Sequence, residues 1–177
     1  MRLYTVKDVY INFLRKYDTK VAENKNHRRP YVGVLIEVNG IKYYAPLTSP
    51  KEKHKSMKNS KDFRRINKGI YGAINFNNMI PVRDDAINLI DFNSIEDIQY
   101  RRLLQNQYKF ILLDKVEILK TDEELRKLIF TSDDNLASYE IDIKKRCCNL
   151  PLLESVVQLF TSSLWVFLFS SNIYSIA

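Results

Sequence analysis

Tyr31-Val-Gly-Val-Leu-Ile-Glu-Val38, Asn39-Gly40 and Ile41-Lys-Tyr-Tyr-Ala45 form the strongest local signal in the chain. Two runs rich in β-branched and aromatic residues flank Asn-Gly, a pair that tolerates the positive φ values of a two-residue type I′ turn, so the segment predicts a β-hairpin. Its second run passes directly into Pro46-Leu-Thr48-Ser49-Pro50-Lys51 and then into a polar, lysine-rich stretch over residues 52–65, read as a surface loop. Upstream, Arg2-Leu-Tyr-Thr-Val6 reads as a short strand. Residues 7–14 read as a helix with Val9, Ile11, Phe13 and Leu14 available for burial, and residues 18–29 as a basic loop closed by Pro30. Downstream, residues 71–76 and 77–82 read as neighbouring strands and residues 84–90 as extended or irregular. Residues 98–113 and 122–131 read as helices, because apolar side chains recur near a 3.6-residue period. Strands first and helices afterwards predict an α+β fold with a largely antiparallel sheet.

A chain of 177 residues with 45% hydrophobic content supports one real core, and the scarcity of Gly (4) and Pro (5) leaves no linker. The charge is divided unevenly. Residues 1–80 hold 17 Lys and Arg against 6 Asp and Glu, and residues 81–177 hold 11 against 15. A basic half suits a polyphosphate partner, because each cation that neutralises a phosphate releases condensed counterion; it also suits simple solubility. The two cysteines, Cys147 and Cys148, are adjacent, a spacing at which a disulfide is strained, so both are expected reduced. The first 20 residues carry no apolar core of a secretory signal, which predicts a cytoplasmic location. After Glu154 the sequence loses all charge. The run has the length of a membrane span, but its Ser, Thr, Gln and Asn residues make a poor one, and no membrane partner is expected.

Familiar catalytic templates are missing: there is no Cys-x-x-Cys, His-Glu-x-x-His, phosphate-binding P-loop or Gly-x-Ser-x-Gly elbow. A two-histidine ribonuclease centre would need both His27 and His54, and neither lies near the strand that presents the site. What remains is a concentration of cations and hydroxyls around the hairpin: Arg28, Arg29, Thr48, Ser49, Lys51, Lys53, His54 and Lys55. RNA brings its own nucleophile, the 2′-hydroxyl. A ribonuclease therefore needs only to align that oxygen and to stabilise charge on the phosphorane, and neither task demands a metal. Thr-Ser-Pro-Lys alone fits a capped turn ahead of a solvated lysine-rich loop better than it fits a catalytic site. Aromatic residues interleave with the cations. Most belong to the core, Phe76 and one of Tyr43 or Tyr44 above all, while Tyr10 is the one taken as an RNA contact.

Tyr4-Thr5, the Tyr10 helix, Tyr31-Val-Gly-Val-Leu-Ile-Glu-Val-Asn-Gly40, Lys42-Tyr-Tyr-Ala-Pro-Leu-Thr-Ser-Pro-Lys51 and Gly72-Ala-Ile-Asn-Phe-Asn-Asn-Met-Ile-Pro81 together resemble the toxins of type III toxin–antitoxin systems, the ToxN and AbiQ-like endoribonucleases. The five segments occur in order over residues 1 to about 153. The resemblance implies a compact single domain around a strongly bent antiparallel β-sheet, a small barrel-like core similar to other ribonuclease toxins, with packed helices. It implies metal-independent, sequence-selective cleavage to 2′,3′-cyclic phosphate and 5′-hydroxyl ends, with no cofactor. It also implies a repeated, folded antitoxin RNA as inhibitor and substrate, cellular or phage RNA as targets, and a hetero-oligomeric toxin–RNA assembly. Family positions carry onto Thr48, Ser49 and Lys51, and onto Tyr10. The family commonly has a lysine before the first hairpin strand, where this chain has Arg29.

The reading is therefore an endoribonuclease toxin domain over residues 1–154, followed by an atypical uncharged tail over residues 155–177. Thr48, Ser49, Lys51 and Arg29 are its candidate catalytic residues; Tyr10, Arg28, Lys53, His54 and Lys55 are its candidate RNA contacts. The alternative is a non-catalytic RNA-binding module using the same basic face.

Overall fold

The computed structural model describes residues 1–24 and 29–160, and only the backbone of residues 34–36. The hairpin is its centre. Strands β1 (Arg2–Val6), β2 (Pro30–Val38) and β3 (Ile41–Thr48) lie side by side, and the β2–β3 turn places both Asn39 and Gly40 at positive φ, as the Asn-Gly pair requires. Helix α1 (Asp8–Arg15) follows β1. A five-residue helix α2 (Glu52–Ser56) and the short strands β4 (Arg64–Arg65), β5 (Ala73–Ile74), β6 (Ile80–Val82) and β7 (Ile87–Leu89) come next. Four helices complete the described residues: α3 (Ile98–Leu113), α4 (Lys115–Phe130), α5 (Ser138–Arg146) and α6 (Leu150–Val157).

The sheet is antiparallel throughout, in the order β4-β5-β3-β2-β1-β7, with β6 also on β3. Opposite β2, the edge of β3 serves two partners in turn: residues 42–44 pair with β6 and residues 47–48 with β5. The α+β class and antiparallel sheet agree with the sequence reading. A barrel-like core does not, because β4 and β7 end the sheet without pairing to each other.

Both faces of β3 are covered, so Tyr43 and Tyr44 are both buried rather than one of them. Tyr43 accepts a hydrogen bond from Arg126 Nε of α4 at 3.2 Å, while Tyr44 packs edge-on against Tyr4 with ring centroids 5.5 Å apart. Residues 71–82 differ from the two neighbouring strands expected, since β5 and β6 bind successive parts of β3 and not each other. The expected loop at 52–65 contains α2 and β4. A bidentate ion pair from Arg64 to Asp114 (Nη2 to Oδ1, 2.6 Å) ties it to the α3–α4 junction. The described residues between α1 and β2 form the expected loop, with Val21 and Asn24 buried beneath it.

The folded domain also runs past the expected boundary at Glu154. Helix α6 continues to Val157, and Phe160 is buried between Tyr10 and Phe13, with ring centroids 4.9 and 5.3 Å away. Residues 161–177, the rest of the expected tail, lie outside the described residues. Cys147 and Cys148 are buried, unbridged thiols, and burial pushes Cys147 up to about 12, which makes it an inert packing residue. No helix of the described residues is long and apolar enough to cross a membrane.

Candidate active site

Register brings the site together. Tyr31 lies opposite Pro46 in the β2–β3 ladder, so the residue just before β2 comes level with the end of β3. Arg29, Thr48, Ser49 and Lys51 accordingly line one cleft of about 980 Å³. The turn after α1, with Lys20, forms a further edge, and α3 forms the opposite wall through Tyr100, Leu104 and Gln107.

The cations in this cleft differ in freedom. Arg29 Nε donates to Glu23 O at 2.6 Å, which orients the guanidinium while its remaining N–H groups stay available for phosphate. Lys20 Nζ is committed to Cys147 O at 2.9 Å, and Arg15 to Glu23 at 3.1 Å and to the carbonyl of Val21. Lys51 is exposed, and its ammonium has no hydrogen-bond partner among the described residues. The Thr48 hydroxyl is buried and likewise without a partner among them. Ser49, which lines the cleft, and Pro50 are exposed. The exposed Lys51 ammonium and the exposed Ser49 are groups in this cleft that an incoming phosphate engages, whereas the buried Thr48 hydroxyl has no surface to offer it.

The structure separates the other sequence candidates from this cleft. Tyr10 is 0% exposed and its hydroxyl donates to Pro81 O at 2.9 Å. Burial raises its phenol above the ordinary range, and it has no surface to offer RNA. Tyr10 is thus a core residue rather than an RNA contact, because the helical period that exposes Val9 turns Tyr10 inward. His54 is also buried, 5.8 Å from the Phe63 ring. Burial, with Lys51 and Lys53 nearby, holds it below the usual histidine range and keeps it neutral, so it is no phosphate cation. Lys53 and Lys55 are exposed on α2 outside the cleft lining, and Lys55 pairs with Glu52 at 2.9 Å. Arg28 and His27 lie outside the described residues.

Sequence reasoning missed the α3 wall. Gln107 is 1% exposed, and its Nε2 donates to the carbonyls of Tyr71 (2.7 Å) and Thr48 (3.2 Å). The signal was present: Leu104, Gln107 and Ile111 lie on one buried helical face, and an amide inside an apolar stripe marks a polar task.

Comparison with known proteins decides the family. Residues 2–158 match the family model described as the toxin ToxN of type III toxin–antitoxin systems. The chain belongs to the ToxN family. Endoribonuclease ToxN of Pectobacterium atrosepticum is 31% identical, over 87% of this chain and 90% of its own length. Endoribonuclease ToxN of Bacillus thuringiensis subsp. kurstaki is 35% identical, over 89% and 82%. A solved structure of a type III system, described for selective toxin inhibition by a non-coding RNA pseudoknot, superposes with a TM-score of 0.77 at 31% identity, covering 89% of this chain and 95% of that one. AbiQ, a lactococcal anti-phage endoribonuclease, superposes at 0.73 with 28% identity, over 89% and 96%. This ToxN family chain therefore shares its architecture, and not only short motifs, with its relatives.

Proposed function

We infer that this chain is an endoribonuclease toxin of a type III toxin–antitoxin system that cleaves RNA in the cleft between the β2–β3 edge and α3. One observation carries the assignment of the site: Arg29 and Lys51, from two separate segments, line a single cleft together with Thr48 and Ser49. In this reading the RNA 2′-hydroxyl attacks the adjacent phosphorus and the 5′-oxygen leaves, giving a 2′,3′-cyclic phosphate and a 5′-hydroxyl end. Lys51 and Arg29 neutralise the non-bridging oxygens as charge builds, and Ser49 donates a hydrogen bond to the same oxygens, with the Thr48 hydroxyl buried behind it. These groups supply transition-state charge without a metal or cofactor. Arg29 acts through charge and geometry alone, since a guanidinium keeps its proton at neutral pH.

The same basic cleft is read as the seat of the antitoxin RNA, a repeated, folded RNA that competes with cellular or phage RNA within a toxin–RNA assembly in the cytoplasm. The test is mapping of RNA ends after incubating purified protein with RNA in EDTA. Wild type should yield 5′-hydroxyl ends at a restricted set of sequences. Lys51→Ala should cleave about 10²- to 10³-fold more slowly, the usual loss for one transition-state donor. RNA that is bound yet uncut by wild type at every protein concentration would leave a binding module in place of an enzyme.

A further inference from the structure

We propose that Gln107 of α3 is a positioning residue for cleavage, which sets the orientation of the Thr48–Ser49 peptide and so the placement of Ser49 in the cleft. The inference rests on reading that peptide as part of the cleavage site.

The Thr48 carbonyl is held in place. Gln107 Nε2 donates to it from α3, and the same nitrogen donates to Tyr71 O, bridging the end of β3 to the segment that leads into β5. Gly72 also lies close against it. At its φ of +90°, a Cβ built on Gly72 would stand 2.0 Å from Thr48 O and 3.0 Å from Ser49 C. A single antiparallel step away, Thr48 pairs with Ala73.

The orientation of the Gln107 amide is dictated rather than free. Turning it over would put Oε1 against two carbonyl oxygens, so the nitrogen must face them. The consequence is visible on the other side of the group: Oε1 is buried and has no partner among the described residues. A side chain placed there only to fill space would be apolar, like Leu104 and Ile111 on the same face. The amide leaves one buried oxygen unsatisfied in order to hold two carbonyls, one of them belonging to Thr48. With that carbonyl fixed, the peptide plane between Thr48 and Ser49 is held, and with it the backbone that presents Ser49 to the cleft. Small misplacements of such groups are costly to rate, on the order of 10²-fold for about 1 Å.

The experiment compares wild type, Lys51→Ala, Gln107→Leu and Gln107→Glu on one oligoribonucleotide, chosen as the fastest cut by wild type from a mixed-sequence pool. Steady-state kinetics are measured across pH, with melting temperatures alongside. Gln107→Leu fills the same space without donating, and should lower kcat about 10- to 100-fold while KM stays within about threefold. Gln107→Glu should be impaired at neutral pH, where a carboxylate faces two carbonyl oxygens. It should recover as the pH falls and its protonated form donates to one of them, a limb absent from the wild-type profile. Melting temperatures taken at each pH must show the variant folded across the range, because a buried glutamate also destabilises the fold as it ionises.

A folded Gln107→Leu with kcat within about twofold of wild type overturns the proposal, and so does a Gln107→Glu profile parallel to wild type. If wild type does not cut, or Lys51→Ala cuts as fast, the reading of the cleft itself has failed and the proposal falls with it.

Discussion

Asp122 should make this protein lose stability as the pH rises toward neutrality, and Asp122→Asn should abolish that loss. The side chain, on α4, is 0% exposed, and neither carboxylate oxygen has a hydrogen-bond partner among the described residues. The nearest cation, Arg126, spends its guanidinium on Tyr43 (3.2 Å) and Glu154 (3.1 Å) and stacks over Phe130 at 4.3 Å. Burial pushes the Asp122 carboxyl from 3.8 up to about 7, with Arg126 pulling it back and Glu123 adding to the rise. An acid whose folded-state value is raised leaves the native protein holding a proton that the unfolded chain has released. Stability is therefore greatest below the unfolded value, falls as the pH climbs through the interval, and levels off above about 7.

Each pH unit in that interval corresponds to about 1.4 kcal/mol, so Asp122→Asn should gain on wild type by about 2.5 kcal/mol between about pH 5 and about pH 8. Asparagine has nothing to titrate, and it approximates the neutral acid in shape. Urea unfolding followed by circular dichroism, on both proteins at a series of pH values, reads the gap directly. A gap that stays constant within about 0.5 kcal/mol across the series would show that the carboxylate is satisfied where it lies, and would refute the reasoning.

Two further outcomes follow from geometry. Gly33→Ala should destabilise by about 1–3 kcal/mol, the usual range for overpacking. A Cβ there would stand 2.3 Å from the Tyr44 ring and 2.4 Å from the Tyr4 ring, and the edge-to-face pair between them has no slack; thermal unfolding measures the loss. Arg29→Lys should keep cleavage within about tenfold of wild type while Arg29→Ala loses about 10²-fold, since the role assigned to Arg29 is charge. A rate for Arg29→Lys well above wild type, with a new pH dependence, would instead point to proton transfer from that position.

The parts of the fold legible in the sequence are those where local chemistry and tertiary packing agree. Asn39-Gly40 needed positive φ and obtained it, and Asp97 accepts hydrogen bonds from the amides of Gln99 and Tyr100, so α3 begins where an Asp precedes the apolar period. Where packing decides alone, the sequence is quiet. The first turns of α4 bury only Ile118 and leave Val116 exposed, so no stripe announces a helix before residue 122. Helix α5 buries only Ile143. The candidate site divides in the same way. Thr48, Ser49 and Lys51 are contiguous, and Arg29 is level with them through the ladder, so a hairpin register suffices to join them. Gln107 comes 59 residues after Thr48, and only the packing of α3 brings the two together. Tyr10 misled because an aromatic near a basic segment reads the same whether it stacks on a base or on Phe160.

The burial of Phe160 against Tyr10 and Phe13 joins the first helix to the end of the described chain. A ribosome must therefore have released residue 160 before this contact can form, long after every candidate catalytic residue has been synthesised. A nascent chain carries Arg29, Thr48, Ser49 and Lys51 well before it supplies the ring that packs on α1, so the apolar face of that helix is completed only from the far end of the described fold.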